Sequence, residues 1–150
     1  MYSIDDLNKI NDELLPLKAL ADRELQSIYG LSGQLYTPHI DAHTEVCIRK
    51  AAILLDLKTR GLIPFTDVEI TSAKLMVLHR KIQNHEVVEF NGCDYECNYT
   101  PLKLSKTGKS VRKWAKFWLK KLPDGKNDEQ WESSVREIWP ENFIIAGANM

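Results

Sequence analysis

The dipeptide Asn91-Gly92 constrains this chain more than any other feature, because it sits where the hydrophobic period changes. Before it, apolar residues recur every three or four positions. Around it, Glu86–Phe90 and Cys93–Tyr99 alternate. A two-residue hairpin turn of the favoured kind needs positive φ at both central residues, and Asn-Gly meets that need best. The sequence therefore predicts a small antiparallel β-hairpin around residues 86–99, with Pro101 ending its second strand. A two-stranded hairpin alone is marginal in water, so a third strand is expected at Phe143–Ala146 (FIIA).

Most of the remaining chain reads as helix. Ser3, with Asp5 and Asp6 behind it, opens a helix whose Leu7, Ile10, Leu14 and Leu15 fall at helical spacing. Pro16 is expected to break or kink it. A second run, Leu17–Tyr29, ends at Gly30, and residues 31–41 read as a loop. Asp41 is expected to cap a helix over Ala42–Arg60 that is apolar around most of its circumference, as a central buried helix would be. Thr66-Asp67-Val68-Glu69 has the form of a capping box. It opens a helix to about Asn84, with Leu75, Met76, Leu78 and Ile82 inward. A helical wheel from about Lys109 to Leu122 puts Val111, Trp114, Ala115, Trp118, Leu119 and Leu122 on one side and most lysines on the other, with Phe117 off the pattern. Pro123-Asp124-Gly125 makes a turn, and Asp128–Trp139 a last helix. The fold class is thus α+β, mainly α-helical, with about five or six helices around the hairpin. A core is expected at Leu54, Leu57, Leu75, Leu78 and the C-terminal tryptophans. At 150 residues the chain is read as a single globular domain, 1–150.

Charge is distributed unevenly. The formal net charge is -1, yet residues 101–122 carry eight basic residues and no acidic one. Both ends of the chain are acidic. The basic block, read as a helix over about 105–122, offers a lysine ridge that can lie along phosphates. Its candidate binding residues, for nucleic acid or another partner, are Lys106, Lys109, Arg112, Lys113, Lys116, Phe117 and Lys120. Phe117, if exposed, would stack on a base or insert into a partner. The competing reading is a solvated face, with Trp114 and Trp118 in the core and the acidic ends folded back on the block.

Other chemical signals are weak. Thr107-Gly108-Lys109-Ser110 matches the end of a phosphate-binding P-loop, but Lys103 stands where the motif's first glycine belongs. His43 and Cys47 lie one helical turn apart, and with Cys93 and Cys97 they would make a four-ligand zinc set. Cys93 and Cys97, four apart in a strand, would be ~13 Å apart unless a bulge intervened, so no metal site is assigned. Cys47 with His79 or His85 would suit nucleophilic catalysis, without a local motif to support it. Nothing approaches a membrane span, the N-terminus is not a signal sequence, and three cysteines fit free thiols in a reducing, cytoplasmic setting.

These observations lead to a non-enzymatic cytoplasmic binding protein that contacts nucleic acid through the basic block. No catalytic residue, metal, cofactor, membrane or small-molecule ligand is expected. The alternative is a protein–protein interaction module of inhibitor, adaptor or immunity type, docking an acidic or basic partner surface.

Overall fold

The structure, a computed structural model, describes residues 1–33 and 35–145. By their internal contacts they form two compact units, one of Met1–Pro64 and one beginning at Phe65. The described residues hold four α-helices, one short 3-10 helix and a three-stranded antiparallel sheet. The class is α+β as expected, with fewer helices than the five or six read from the sequence.

The first unit pairs α1 (Ile4–Ile28) with α2 (Pro38–Thr59). Ser3 and Asp6 form a capping box, the Ser3 hydroxyl accepting the Asp6 N–H at 3.1 Å and the Asp6 carboxylate accepting the Ser3 N–H at 2.8 Å. The break expected at Pro16 does not occur, and one helix of 25 residues replaces two. Proline costs α1 one backbone bond, to the Asp12 carbonyl. The apolar stripe Leu7, Ile10, Leu14, Leu17 nevertheless continues across it into the core with Val46, Ile53 and Leu57. Packing on both sides of the proline offsets the lost bond. Gly30, at φ +81°, lies just beyond the end of the helix.

Helix α2 starts four residues earlier than expected, with Pro38 at its first position. Its cap is not Asp41. Thr37 makes no side-chain capping bond; instead the Glu24 carboxylate of α1 accepts the N–H groups of His39 and Ile40, at 3.0 and 3.2 Å. Nor is α2 buried all round. Leu55 is 57% exposed, because a helix with one helical neighbour has one face to cover. Arg49 pairs with Glu13 at 2.8 Å. Asp56 accepts the Tyr2 N–H and the Arg60 guanidinium, which also bonds the Tyr2 carbonyl. The Arg60 guanidinium, above all, holds the Asp56 carboxyl below its usual range.

The second unit begins with α3 (Asp67–Leu78), opened by the expected capping box of Thr66 and Glu69. It ends at His79 rather than near Asn84. Leu78 is consequently 60% exposed, while Ile82 reaches the core from beyond the helix. Strands β1 (Val87–Phe90), β2 (Cys93–Leu104) and β3 (Val111–Lys121) form the sheet in that order. The predicted turn is present, with Asn91 at φ +51° and Gly92 at +79°. Helix α4 (Glu129–Ile138) follows, capped by the Asp128 carboxylate on the Trp131 N–H at 3.1 Å. A 3-10 helix covers Pro140–Phe143. The strand expected at Phe143–Ala146 is therefore corrected: Phe143 ends that turn of helix, Ile144 and Ile145 continue as a turn, and Ala146 lies outside the described residues.

The larger correction is the basic block, which is strand and not helix. Phe117, Trp118 and Leu119 are consecutive and all buried. A continuous apolar run of this kind suits a strand covered on both faces, and a helix would turn one of the three to solvent. Trp118 meets the His79 ring on one face, and Phe117 meets Phe143 on the other. Valine and three aromatic rings among eleven residues favour the pleated form as well. Pro101 does not end β2. The N–H and C=O of Cys97 point towards β1, bonding Glu86 and His85. In a strand that direction repeats every second residue, so the N of Pro101 also faces away from β3, where no strand runs alongside. The core of this unit is Leu75, Tyr95, Cys97, Phe117, Trp118, Leu119, Trp131 and Val135. The Trp131 indole N–H donates to the Trp118 carbonyl at 2.8 Å.

Candidate nucleic-acid interface

Two segments of β2–β3 have different environments. From Tyr95 to Thr100, with the partners Lys120 to Ala115, the sheet is packed on its neighbours. From Pro101 to Trp114 no residue is buried. Strand β1 reaches only Glu96 in the ladder, so this distal part is a free two-stranded ribbon. Its tip is closed by the Ser105 N–H on the Ser110 carbonyl at 2.8 Å, with Gly108 at φ +73°. The register shifts at Leu102 and again opposite Arg112. One bulge on each strand restores the pairing and adds twist.

Five cations sit on this ribbon: Lys103, Lys106, Lys109, Arg112 and Lys113, all exposed. Among the described residues none of the five makes a salt bridge, and no acidic residue occurs between Cys97 and Pro123. Like charges held close on two paired strands repel one another, and a bound polyanion relieves that repulsion while releasing its own counterions. Trp114 stands at the base of the ribbon, 55% exposed, opposite Pro101.

Of the seven residues singled out from the sequence, the structure brings four together here: Lys106, Lys109, Arg112 and Lys113. Phe117 is not available for stacking, being 3% exposed and in contact with Phe143 at a ring-centroid distance of 5.1 Å. Lys116 donates to the His79 carbonyl at 3.0 Å and lies 6.0 Å from the Trp118 ring centroid. Lys120 lies seven residues from Lys113, ~24 Å along an extended strand, beside Tyr95 in the register. Lys121, at that same end, pairs with Glu96 at 3.4 Å and donates to Asn127 at 2.7 Å. Lys103 and Trp114 belong to the ribbon but were not picked out as binding residues. The helical wheel had turned Trp114 inward. A legible signal for the ribbon existed in Thr107-Gly108, a turn pair between two β-favouring runs.

The other candidates separate. Thr107-Gly108-Lys109-Ser110 is a hairpin tip and not a strand-to-helix loop, so no helix N-terminus stands behind it to meet a phosphate. Cys93 and Cys97 lie on an unbulged stretch of ladder, which keeps their sulfurs apart. Among the described residues no three His, Cys, Asp or Glu side chains gather as metal ligands would. His43 and Cys47 do meet, with Sγ 3.6 Å from Nε2. Burial, reinforced by Lys18, moves the His43 pKa down, which disfavours the imidazolium that would stabilise a thiolate. Burial also pushes the Cys97 thiol up. Next to β3, a cleft of about 310 Å³ is lined by Ser72, Met76, Phe117, Trp139 and Asn142, with Lys116 at its wall. Its surface is mostly apolar, and the Lys116 amine is already bonded. None of the described helices is long and apolar enough to cross a membrane.

Comparison of the chain with protein families, with curated proteins and with solved structures finds no match.

Proposed function

We propose that the protein binds nucleic acid through the distal β2–β3 ribbon. The observation that carries this reading is the gathering of five exposed cations, none in a salt bridge among the described residues, on fourteen residues that bury nothing. A positively charged groove or ribbon that tracks the backbone supplies the sequence-independent part of nucleic-acid binding. The lysines contact phosphate, which supplies affinity and position but little sequence information. An acidic protein surface is the second polyanion this ribbon suits, and the experiment separates the two.

The test is fluorescence anisotropy of labelled DNA and RNA, single- and double-stranded, across a salt series, with polyglutamate as competitor. Five phosphate contacts give a slope of log K against log salt of about -4.5 on duplex and about -3.5 on single strands. Lys109→Gln with Lys113→Gln should lower each slope by about 1.4–1.8. Absence of binding at low salt, or a slope unmoved by the double variant, overturns the proposal. Displacement of the oligonucleotide by equimolar polyglutamate reassigns the ribbon to an acidic protein.

A further inference from the structure

We infer that the ribbon selects unpaired strands, with Trp114 as the ring on which a base stacks; this deepens, and rests on, the nucleic-acid reading above. Three observations combine. Trp114 keeps 55% of its surface exposed, in a unit whose Trp118 and Trp131 are buried. It is the only tryptophan on a stretch of ribbon otherwise dominated by cations. Arg112 and Lys113 precede it directly, and Lys116, two residues on, shares its strand face.

The geometry of that face explains why the ring stays available. Cross-strand partners share a face, so Trp114 stands over Pro101, with Tyr99 and Lys116 as the next pair inward. Tyr99 is held by its hydroxyl on the Ile82 carbonyl at 2.7 Å, and the Lys116 amine by the His79 carbonyl. Neither neighbour is free to fold over the indole. Proline offers a flat apolar floor at one edge. The bulges at Leu102 and Arg112 lie immediately beyond and turn the tip relative to the base of the ribbon.

Stacking needs the face of a base. In a duplex those faces are covered by neighbouring bases, and a side chain reaches them only by unstacking a step, at a cost of a few kcal/mol. An unpaired strand presents them freely, and every base has such a face. Aromatic platforms beside a basic track are the general means of holding single strands with little sequence preference. The ribbon combines both elements within fourteen residues.

The test compares the intact protein with Trp114→Ala and Trp114→Phe on three probes of equal length: a thymidine oligonucleotide, an abasic oligonucleotide and a duplex. Trp114→Ala should weaken thymidine-oligonucleotide binding about 5- to 150-fold, the range for one stacked base. It should leave abasic binding within about twofold. Trp114→Phe, which keeps a ring, should recover most of the loss. Equal affinity of the intact protein for abasic and thymidine probes, or a Trp114→Ala effect equal on all three, overturns the stacking inference and leaves phosphate binding standing. No salt-sensitive binding to any probe overturns both.

Discussion

Lys116 donates its ammonium to the His79 carbonyl, 3.0 Å away at the C-terminal cap of α3. A cation at that end of a helix meets the negative pole of the dipole as well as an orphan carbonyl. The basic run therefore divides by task at Trp114. The residues before it lie on the free ribbon, while Lys116 and Lys121 hold the unit together.

This division is measurable. Lys116→Met should destabilise the protein by about 1–2 kcal/mol, through loss of a charged hydrogen bond. Lys113→Met should stay within about 0.5 kcal/mol, as exposed substitutions do. Urea unfolding of the two variants checks the contrast. Equal destabilisation would remove the structural role of Lys116.

Glu24 caps α2 from a different helix. Glu24→Ala should cost about 1 kcal/mol, the usual value of a lost N-terminal cap, whereas Asp41→Ala should cost less. Amide hydrogen exchange is the direct readout. The His39 and Ile40 amides should exchange faster in Glu24→Ala and hold their rates in Asp41→Ala.

Pro16 occupies the interior of α1 and leaves the Asp12 carbonyl without its helical donor. Pro16→Ala should stabilise the first unit, by up to about 3 kcal/mol. Thermal unfolding followed by far-UV circular dichroism would show the gain as a raised midpoint. A lowered midpoint would mean that the proline ring packs better than the bond it displaces.

His43 titrates below its ordinary value because burial, then Lys18, disfavours its charged form, with Asp22 opposing them. The unfolded chain therefore binds the proton more readily than the folded one. The contribution of His43 to stability is complete above about pH 6.5 and declines as pH falls through the lower folded value. Urea midpoints at about pH 7.5 and pH 5 should fall more in the natural protein than in His43→Gln. This window lies above the ordinary carboxylate range of Asp6 and Asp56, both also lowered, so neither interferes.

Much of the architecture was legible where a local signal has a local cause. The helix start at Ser3, the Thr66–Glu69 capping box, the Asn91-Gly92 turn, the Pro123–Gly125 turn and the start of the last helix near Asp128 depend on residues within a few positions of one another. What failed depended on distant partners. Pro16 suggests two helices until α2 supplies a face that spans it. Asp41 looks like a cap until Glu24, fifteen residues before His39, takes the work. The run from Lys109 to Leu122 satisfies a helical wheel, and its burial on both faces becomes visible only once His79 and Phe143 are in place. That one exchange of period moved Phe117 inward and brought Trp114 out. The cationic character of the site was legible throughout, since charge in sequence needs no fold to be counted.

Pro101 has a consequence beyond its own strand. A free ribbon edge carries unsatisfied N–H and C=O groups that a second chain can pair with, and such edges seed aggregation. Here the open side of β2 lacks a donor at Pro101, is broken by the bulge at Leu102 and carries Lys103 next to it. The same positive charge that suits a polyanion repels an identical ribbon. A missing donor, a bulge and a row of like charges each oppose the pairing of this edge with an identical one.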